Sequence, residues 1–388
     1  MKAENYISPW DSESPRGFNS GLLDPWTTEP IDDEIISSVP AKTQKRQKNQ
    51  ECLADRGFDI LPYAERAMEG GRARHRWGVV LAGGDGTRLR ELTQWVYGDD
   101  RPKQFCSLLS NRTLLEDAWL RAERSIPRDQ ILFCLTRAHQ HHYRRRFLGR
   151  PSQRIVQPSN KGTAPAILCA MARIARADPE AIVAVLPSDH YYSSETAFTA
   201  ALNSAMEIAK QRTGAVVVLS AQPTRAETEY GWIEIGASLP GYSGLFHVEG
   251  FQEKPSRQRA RFLLRKGALW NTFVMAGSVE AFLEMAWAAA PRLMEGIESI
   301  DFYARPGSEM QISESAYNQI PFMDFSRHVL APARRSLIAF RLENCEWNDL
   351  GNPYRVLATL VEKDGDLPSW ARLWPGNRAG QGAFGAAA

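Results

Sequence analysis

The sequence predicts an α/β protein with a doubly wound, mostly parallel sheet. Three observations predict it: short runs of near-continuous apolar residues, helical patterns between them, and glycines or polar residues where the runs end. Val79 to Leu81 reads as a buried strand, closed by Gly83-Gly84-Asp85-Gly86. Leu114 to Arg124 then has helical spacing, Ile131 to Thr136 reads as a strand, and Ala164 to Ala177 as a helix. The alternation continues with a strand at Ile182 to Leu186, a helix at Phe198 to Lys210 and a strand at Ala215 to Leu219. Strands joined through helices pair in parallel, are covered on both faces, and present ligands at their carboxyl ends. No period of about 20 to 50 residues marks a repeat array.

Composition narrows the partners. Of 388 residues, 43% are hydrophobic and 10% aromatic, so most of the chain can bury a core. Its 47 basic and 45 acidic residues give a net charge of +2, a balance that favours neither nucleic acid nor a membrane surface as partner. Five cysteines, at positions 52, 106, 134, 169 and 345, lack paired spacing and are expected to be reduced and mostly buried. No run approaches the ~18 apolar residues that span a bilayer. The first residues are polar and acidic, unlike a basic and apolar leader, so a soluble, cytoplasmic protein is expected.

Residues 1–72 are polar and aperiodic, and are expected to form a disordered extension. Their basic run Lys42, Lys45, Arg46 and Lys48 reads as a solvated linker. The folded domain is expected over 75–362, with 365–388 as a flexible tail. His139, His141, His142, Arg144, Arg145 and Arg146 lack ligand spacing and read as a solvated helix face.

The glycine turn after the first strand suits a phosphate cradle, because glycines let backbone N–H groups approach phosphate oxygens; a plain tight turn fits the same residues. Arg88 and Lys103 can supply positive charge. Neither a Walker A loop nor Gly-x-Gly-x-x-Gly matches. Asp189 follows the strand Ile182 to Leu186 directly and is a candidate magnesium ligand; that ion takes one or two carboxylates, and Asp349 is the candidate for the second. Glu253-Lys254 can accept from sugar hydroxyls and hold a phosphate, and Asn271 can both donate and accept. Seen singly, these segments also read as an ion pair, a turn and a core contact.

Taken together, Leu81-Ala82-Gly83-Gly84-Asp85-Gly86-Thr87-Arg88-Leu89, Arg101-Pro102-Lys103-Gln104-Phe105, Gly162-Thr163-Ala164-Pro165-Ala166, Leu186-Pro187-Ser188-Asp189-His190, Tyr230-Gly231-Trp232-Ile233, Glu253-Lys254-Pro255 and Trp270-Asn271 resemble the sugar nucleotidyltransferase family. The similarity is strongest to its mannose-1-phosphate guanylyltransferase branch. The resemblance implies a Rossmann-like nucleotidyltransferase domain with a small sugar-binding subdomain. It also implies a reaction between a nucleoside triphosphate, GTP first, and a sugar 1-phosphate, mannose 1-phosphate first, with Mg2+ as cofactor. UTP or dTTP with glucose 1-phosphate is the alternative, and a non-catalytic nucleotide-sugar-binding regulator a second.

By the same resemblance Arg88 and Lys103 are catalytic and face the triphosphate. Leu81, Ala82, Gly83, Gly84, Gly86, Thr87, Gln157, Gly162 and Thr163 bind the nucleotide. Tyr230, Gly231, Glu253, Lys254 and Asn271 bind the sugar phosphate, and Asp189 and Asp349 bind magnesium. A homodimer is left as one option for assembly. The chain departs from the family in three places. Residues 94–100 lengthen the path from Arg88 to Lys103, Gln157-Pro158 replaces the usual Glu-Pro, and Lys161-Gly162 replaces the usual Arg-Asn. The first bears on the reach of Lys103, the others on the choice of base.

Overall fold

A computed structural model describes residues 75–146, 150–300, 302–303 and 308–376. The expected extension at 1–72, with Cys52 and the basic run, lies outside the described residues. The first half contains β1 (Arg76–Leu81), α1 (Arg90–Tyr97), α2 (Leu114–Glu123), β2 (Ile131–Thr136), α3 (Gln140–Arg146), β3 (Arg154–Gln157), α4 (Thr163–Ala177), β4 (Ile182–Pro187), β5 (Tyr191–Tyr192) and α5 (Glu195–Gln211). The second contains β6 (Val216–Ala221), β7 (Gly231–Ser238), β8 (Leu245–Glu253), α6 (Arg257–Arg265), β9 (Leu269–Ser278), α7 (Val279–Ala289), α8 (Pro291–Glu298), β10 (Phe302–Tyr303), β11 (Met310–Ile312), α9 (Glu314–Gln319), β12 (Leu337–Arg341), β13 (Trp347–Asn348), α10 (Pro353–Asp364) and α11 (Ser369–Leu373).

The main sheet has the order β10-β11-β3-β2-β1-β4-β9-β6-β12-β8-β7. From β11 to β4 the neighbours run parallel, as the helix-separated strands require. β9 enters antiparallel between β4 and β6, a direction that apolar periodicity does not encode. β6 and β12 are parallel again. β7, β8 and the start of β9 pair antiparallel and form, with α6, the smaller portion of the domain.

The continuous apolar runs are explained by burial on both faces. Val79, Val183, Val185, Val216 and Val218 pack on one face under α4, α7 and α8. Val80, Ala184, Leu186, Val217 and Leu219 pack on the other, under α2 and α5. α2 begins at a reciprocal cap: the Glu116 amide donates to Thr113 Oγ1 at 3.2 Å, and the Thr113 amide to Glu116 Oε2 at 2.7 Å.

A third cluster joins Leu89, Leu92 of α1, Cys106, Leu109, Leu350, and Val356, Leu357 and Leu360 of α10. It locks the segments that carry Arg88, Lys103 and Asp349 to one another. Ala371 and Trp374 are buried in it and Leu367 and Trp370 pack against it, so the expectation of a flexible tail from 365 is corrected for these residues. Residues 377–388 lie outside the described residues.

The expected solvated face of histidines and arginines is also corrected. His141 and Arg144 are exposed, but His139 and Tyr143 are buried, and the His142 ring stacks on Phe105 at 5.5 Å. Cys106, Cys134 and Cys169 are free and buried, and Cys345 is free and half-buried. Among the described residues no helix is long and apolar enough to cross a membrane.

Candidate active site

The carboxyl ends of β1 and β4 are tied together, because the Leu81 carbonyl accepts from the Ser188 amide at 3.2 Å and from its hydroxyl at 2.6 Å. The glycine turn leaves this junction and is braced from below. Gln104 Nε2 donates to the Ala82 carbonyl at 3.0 Å and the Gly84 carbonyl at 2.7 Å, and Thr136 Oγ1 donates to the Gly83 carbonyl at 2.9 Å. A Cβ on Gly83 would stand 2.8 Å from Thr136 Oγ1, whereas one on Gly84 would meet open space. Gly86 has φ +60°, and its Cβ would lie 3.0 Å from the Lys103 amide nitrogen. Only glycine lets the turn approach the Lys103 segment that closely.

Above the turn opens a cleft of about 350 Å³, lined among others by Leu81, Gly83, Gly84, Gln157, Gly162, Thr163 and Asp189. Asp85 spans its rim: Oδ2 accepts from Asn160 Nδ2 at 2.9 Å, and Oδ1 lies 3.3 Å from His139 Nε2. Asn160 Oδ1 in turn accepts from the Gly162 amide at 3.0 Å. Ala82 does not line the cleft: its amide donates to the Cys134 carbonyl at 2.9 Å, its carbonyl accepts from Gln104, and its side chain is buried in the core. Thr87 is exposed at the start of the 3₁₀ turn Thr87–Leu89.

Four charged residues converge at one end of the cleft. Lys103 is 8% exposed. Its ammonium donates to the Asp349 carbonyl at 2.6 Å and the Leu350 carbonyl at 3.3 Å, and lies 3.2 Å from Asp189 Oδ2. The longer segment before it folds as α1 and turns back at Gly98, so Lys103 reaches the same crevice as the glycine turn. Arg88 is half-exposed, with Nη1 3.0 Å from Glu229 Oε2 and Nη2 3.8 Å from Asp349 Oδ2.

Asp349 is buried, and its Oδ1 accepts from Arg355 Nη1 at 2.7 Å, the Gly351 amide at 2.8 Å and the Tyr230 hydroxyl at 3.1 Å. Burial pushes its pKa up, but Lys103 and Arg355 outweigh that and hold the carboxyl below its ordinary range. Arg355 is itself anchored by Glu227 at 2.7 Å. Beside Asp189, His190 is half-buried and its pKa is pushed down to about 4, chiefly by desolvation. Its Nδ1 faces the donating Trp347 Nε1 at 3.2 Å, which leaves the proton on Nε2.

Among the described residues no group of three or more His, Cys, Asp or Glu side chains forms a metal site. Asp189 and Asp349, each beside Lys103, are the two carboxylates available. Magnesium asks for one or two carboxylates completed by substrate phosphates and water, and this donor set fits that demand.

The second group lies where β7, β8 and β9 meet. Gly231 opposes Glu253 in the ladder, and a Cβ on it would stand 2.6 Å from Glu253 Oε2 and 3.2 Å from Asn271 Cβ. Asn271 is buried, accepting from the Phe273 amide at 2.9 Å and donating to Ser326 Oγ at 3.4 Å. Lys254 is exposed. Lys254 and Phe273 have φ of 48° and 63°, left-handed conformations that cost non-glycine residues energy and gather at functional sites. Burial, and then the Asp324 carboxylate, push the Glu253 pKa up to about 7 against the opposing Lys254 and Arg327 charges. Phe273 and Asp324 also line the cleft, so the two groups adjoin. The Tyr230 side chain is buried and donates to Asp349, and its carbonyl accepts from the Lys254 amide at 3.1 Å.

Reading by motif missed Gln104 as a brace, Arg355 and Glu227 behind Asp349, Glu229 beside Arg88, and Asp324 and the 69% exposed Phe322 on the cleft wall. Gln104 stands inside the segment Arg101 to Phe105, Glu229 directly before Tyr230, and Arg355 six positions after Asp349. Nothing local marks Asp324 or Phe322.

The chain is 28% identical over 298 residues to the xanthan biosynthesis protein XanB of Xanthomonas campestris pv. campestris (strain B100), covering 74% of this chain and 60% of that protein. It is 27% identical over 307 residues to the mannose-1-phosphate guanylyltransferase of Escherichia coli (strain K12), covering 76% and 58%. The chain thus spans about 60% of the length of these curated relatives. A crystal structure described as mannose-1-phosphate geranyltransferase from Thermus thermophilus superposes with a TM-score of 0.63 at 31% identity, covering 75% of this chain and 80% of that one. The profile described as nucleotidyl transferase matches residues 77–361. That match runs from β1 into α10 and takes in both groups of site residues: the chain belongs to the nucleotidyl transferase family.

Proposed function

We propose that the chain transfers a nucleotidyl group from a nucleoside triphosphate, GTP first, to a sugar 1-phosphate, mannose 1-phosphate first, giving a nucleotide sugar and pyrophosphate. The observation that carries the reading is the convergence of Arg88, Lys103, Asp189 and Asp349 beside a glycine-walled cleft. The relatives named as mannose-1-phosphate guanylyltransferases support the choice of substrates.

A sugar phosphate is already anionic near neutral pH, so its oxygen can attack the α-phosphorus without a general base. What the protein must supply is position and charge. The glycine turn offers backbone N–H groups, and Lys103, fixed by two main-chain carbonyls, presents a preorganised cation where charge builds on the leaving pyrophosphate. Arg88 can leave the exposed Glu229 for a phosphate oxygen, exchanging a weak surface pair for a stronger one. Glu253 and Asn271 would receive sugar hydroxyls and Lys254 the phosphate. Asp189 and Asp349 would hold magnesium, which would supply positive charge to neutralise the triphosphate.

Gln157 in place of the family's Glu weakens the choice of guanine, and UTP or dTTP with glucose 1-phosphate is the second reading. Purified chain mixed with each nucleotide and sugar phosphate in Mg2+ is expected to release pyrophosphate fastest with GTP and mannose 1-phosphate. A faster UTP or dTTP pair with glucose 1-phosphate would select the second reading. Nucleotide-sugar binding without release from any pair would make the chain a non-catalytic binder.

A further inference from the structure

The two oxygens of the Asp349 carboxylate are held unequally. Oδ1 takes three donors, Arg355 Nη1 at 2.7 Å, the Gly351 amide at 2.8 Å and the Tyr230 hydroxyl at 3.1 Å. A carboxylate oxygen offers about two lone-pair sites, so Oδ1 is saturated. Oδ2 accepts no hydrogen bond among the described residues and lies 3.8 Å from Arg88 Nη2, on a half-exposed side chain. Gly351 makes this arrangement possible, since a Cβ there would stand 2.4 Å from Oδ2 and 2.8 Å from Arg355 Nη1.

Arg355 can orient the carboxylate because its own place is fixed from several sides. It is 7% exposed, its Nη2 lies 2.7 Å from Glu227 Oε2, and its guanidinium carbon lies 4.5 Å from the centre of the Tyr230 ring. Glu227 Oε1 in turn accepts from the Thr228 and Glu229 amides at 2.9 and 3.0 Å, so the anchor is bonded to the main chain of the segment before β7. The planar fork of arginine holds two carboxylates through different nitrogens in fixed directions, which the ammonium of a lysine does not. Stability alone does not explain the row Glu227, Arg355, Asp349, because replacing buried ion pairs by apolar side chains is often neutral or stabilising.

We propose that Arg355, fixed by Glu227, is a positioning residue that turns Asp349 so that Oδ2 alone is offered to a divalent cation. The inference rests on the magnesium reading of Asp349 and adds which oxygen serves and which residue aims it.

The probe is Mn2+, whose binding to the full chain is read by electron paramagnetic resonance, alone and with GTP or UTP, without any turnover. Arg355→Met by itself would leave two buried carboxylates without their shared cation. The variant is therefore Glu227→Gln combined with Arg355→Met, which removes one charge of each sign and keeps the local balance. A change in Mn2+ affinity then reports orientation rather than charge. The affinity should fall about ten-fold or more, the scale seen when a partner behind a metal ligand is lost. Nucleotide binding measured in EDTA should stay within about two-fold. Loss of both affinities by one factor would mark a merely structural role, and an unchanged Mn2+ affinity would mark no role in cation binding; either result overturns the proposal.

Should the double variant fail to fold, Tyr230→Phe carries the same test, because it removes one of the three donors to Oδ1 and keeps the ring beside Arg355. Mn2+ affinity should then fall about three-fold, the worth of one hydrogen bond, and an unchanged value overturns the proposal. Mn2+ binding that depends on Arg355 in a chain that releases no pyrophosphate keeps this inference and loses the enzymatic reading. Pyrophosphate release with Mn2+ affinity indifferent to these substitutions does the reverse. A chain that binds no Mn2+ under any of these conditions overturns the inference together with the magnesium assignment.

Discussion

The two ends of the site are built on different principles. The end proposed for the nucleotide stands on turns at the ends of the parallel strands β1, β3 and β4, and its buried cation is fixed by main-chain carbonyls. The end proposed for the sugar stands on antiparallel β7, β8 and β9, where the ladder opposite β9 shifts register between Leu219 and Ser220 and two non-glycine residues hold left-handed backbone. The first end therefore has charge set by backbone geometry, the second by side-chain burial. Damage at the first should appear in turnover, and damage at the second in affinity for the sugar phosphate and in pH dependence.

The sharpest break comes from the two cations. Lys103→Ala removes the partner of Asp189 and the donor to two carbonyls, so it should lower kcat by about 10³-fold and the melting temperature as well. Arg88→Ala removes a half-exposed side chain from a surface pair; kcat should fall by about 10²- to 10³-fold, roughly 3–4 kcal/mol, with melting nearly unchanged. Steady-state kinetics beside thermal melts separate the two. Equal losses of stability would contradict the distinction between a buried, fixed cation and an exchangeable one.

A smaller effect is expected at the other end. Gly231→Ala would place a methyl 2.6 Å from Glu253 Oε2 and force that carboxyl aside. The KM for sugar phosphate should rise by about ten-fold, the cost of a lost charged hydrogen bond, while the KM for the nucleotide stays within about two-fold. Equal rises in both would mean that the ends are not separable.

The same contrast explains what the sequence disclosed. At the nucleotide end the residues that matter are neighbours in the chain, such as Gly83 to Arg88, so a short motif carries them. The path from Arg88 to Lys103 was legible in residues but not in reach, because reach depends on α1 folding and on its packing with α10 and Trp374. Arg355 was hidden because its role exists only through Asp349 and Glu227. The antiparallel entry of β9 was hidden for a different reason, since an apolar run reads the same in either direction. His139 looked like part of a solvated run, yet its place under Asp85 is set by the loop it meets.

The smallest effect is the most specific to the sugar end. With its pKa raised to about 7 by burial and Asp324, Glu253 carries its proton in the folded chain at pH values where the unfolded carboxyl, near 4.5, has lost it. Folded protein then binds more protons than unfolded between about 4.5 and 7, so this group's contribution to stability, full below 4.5, declines as pH rises through that window. Glu253→Gln should flatten the decline, read by denaturant unfolding at a series of pH values. Binding should run the opposite way: only the ionised carboxylate accepts two sugar hydroxyls, so kcat/KM for the sugar phosphate should rise a few-fold through pH about 7 in the wild type and stay level in Glu253→Gln. A rise that survives the substitution would move the titration to the substrate phosphate, whose own second ionisation lies near pH ~6.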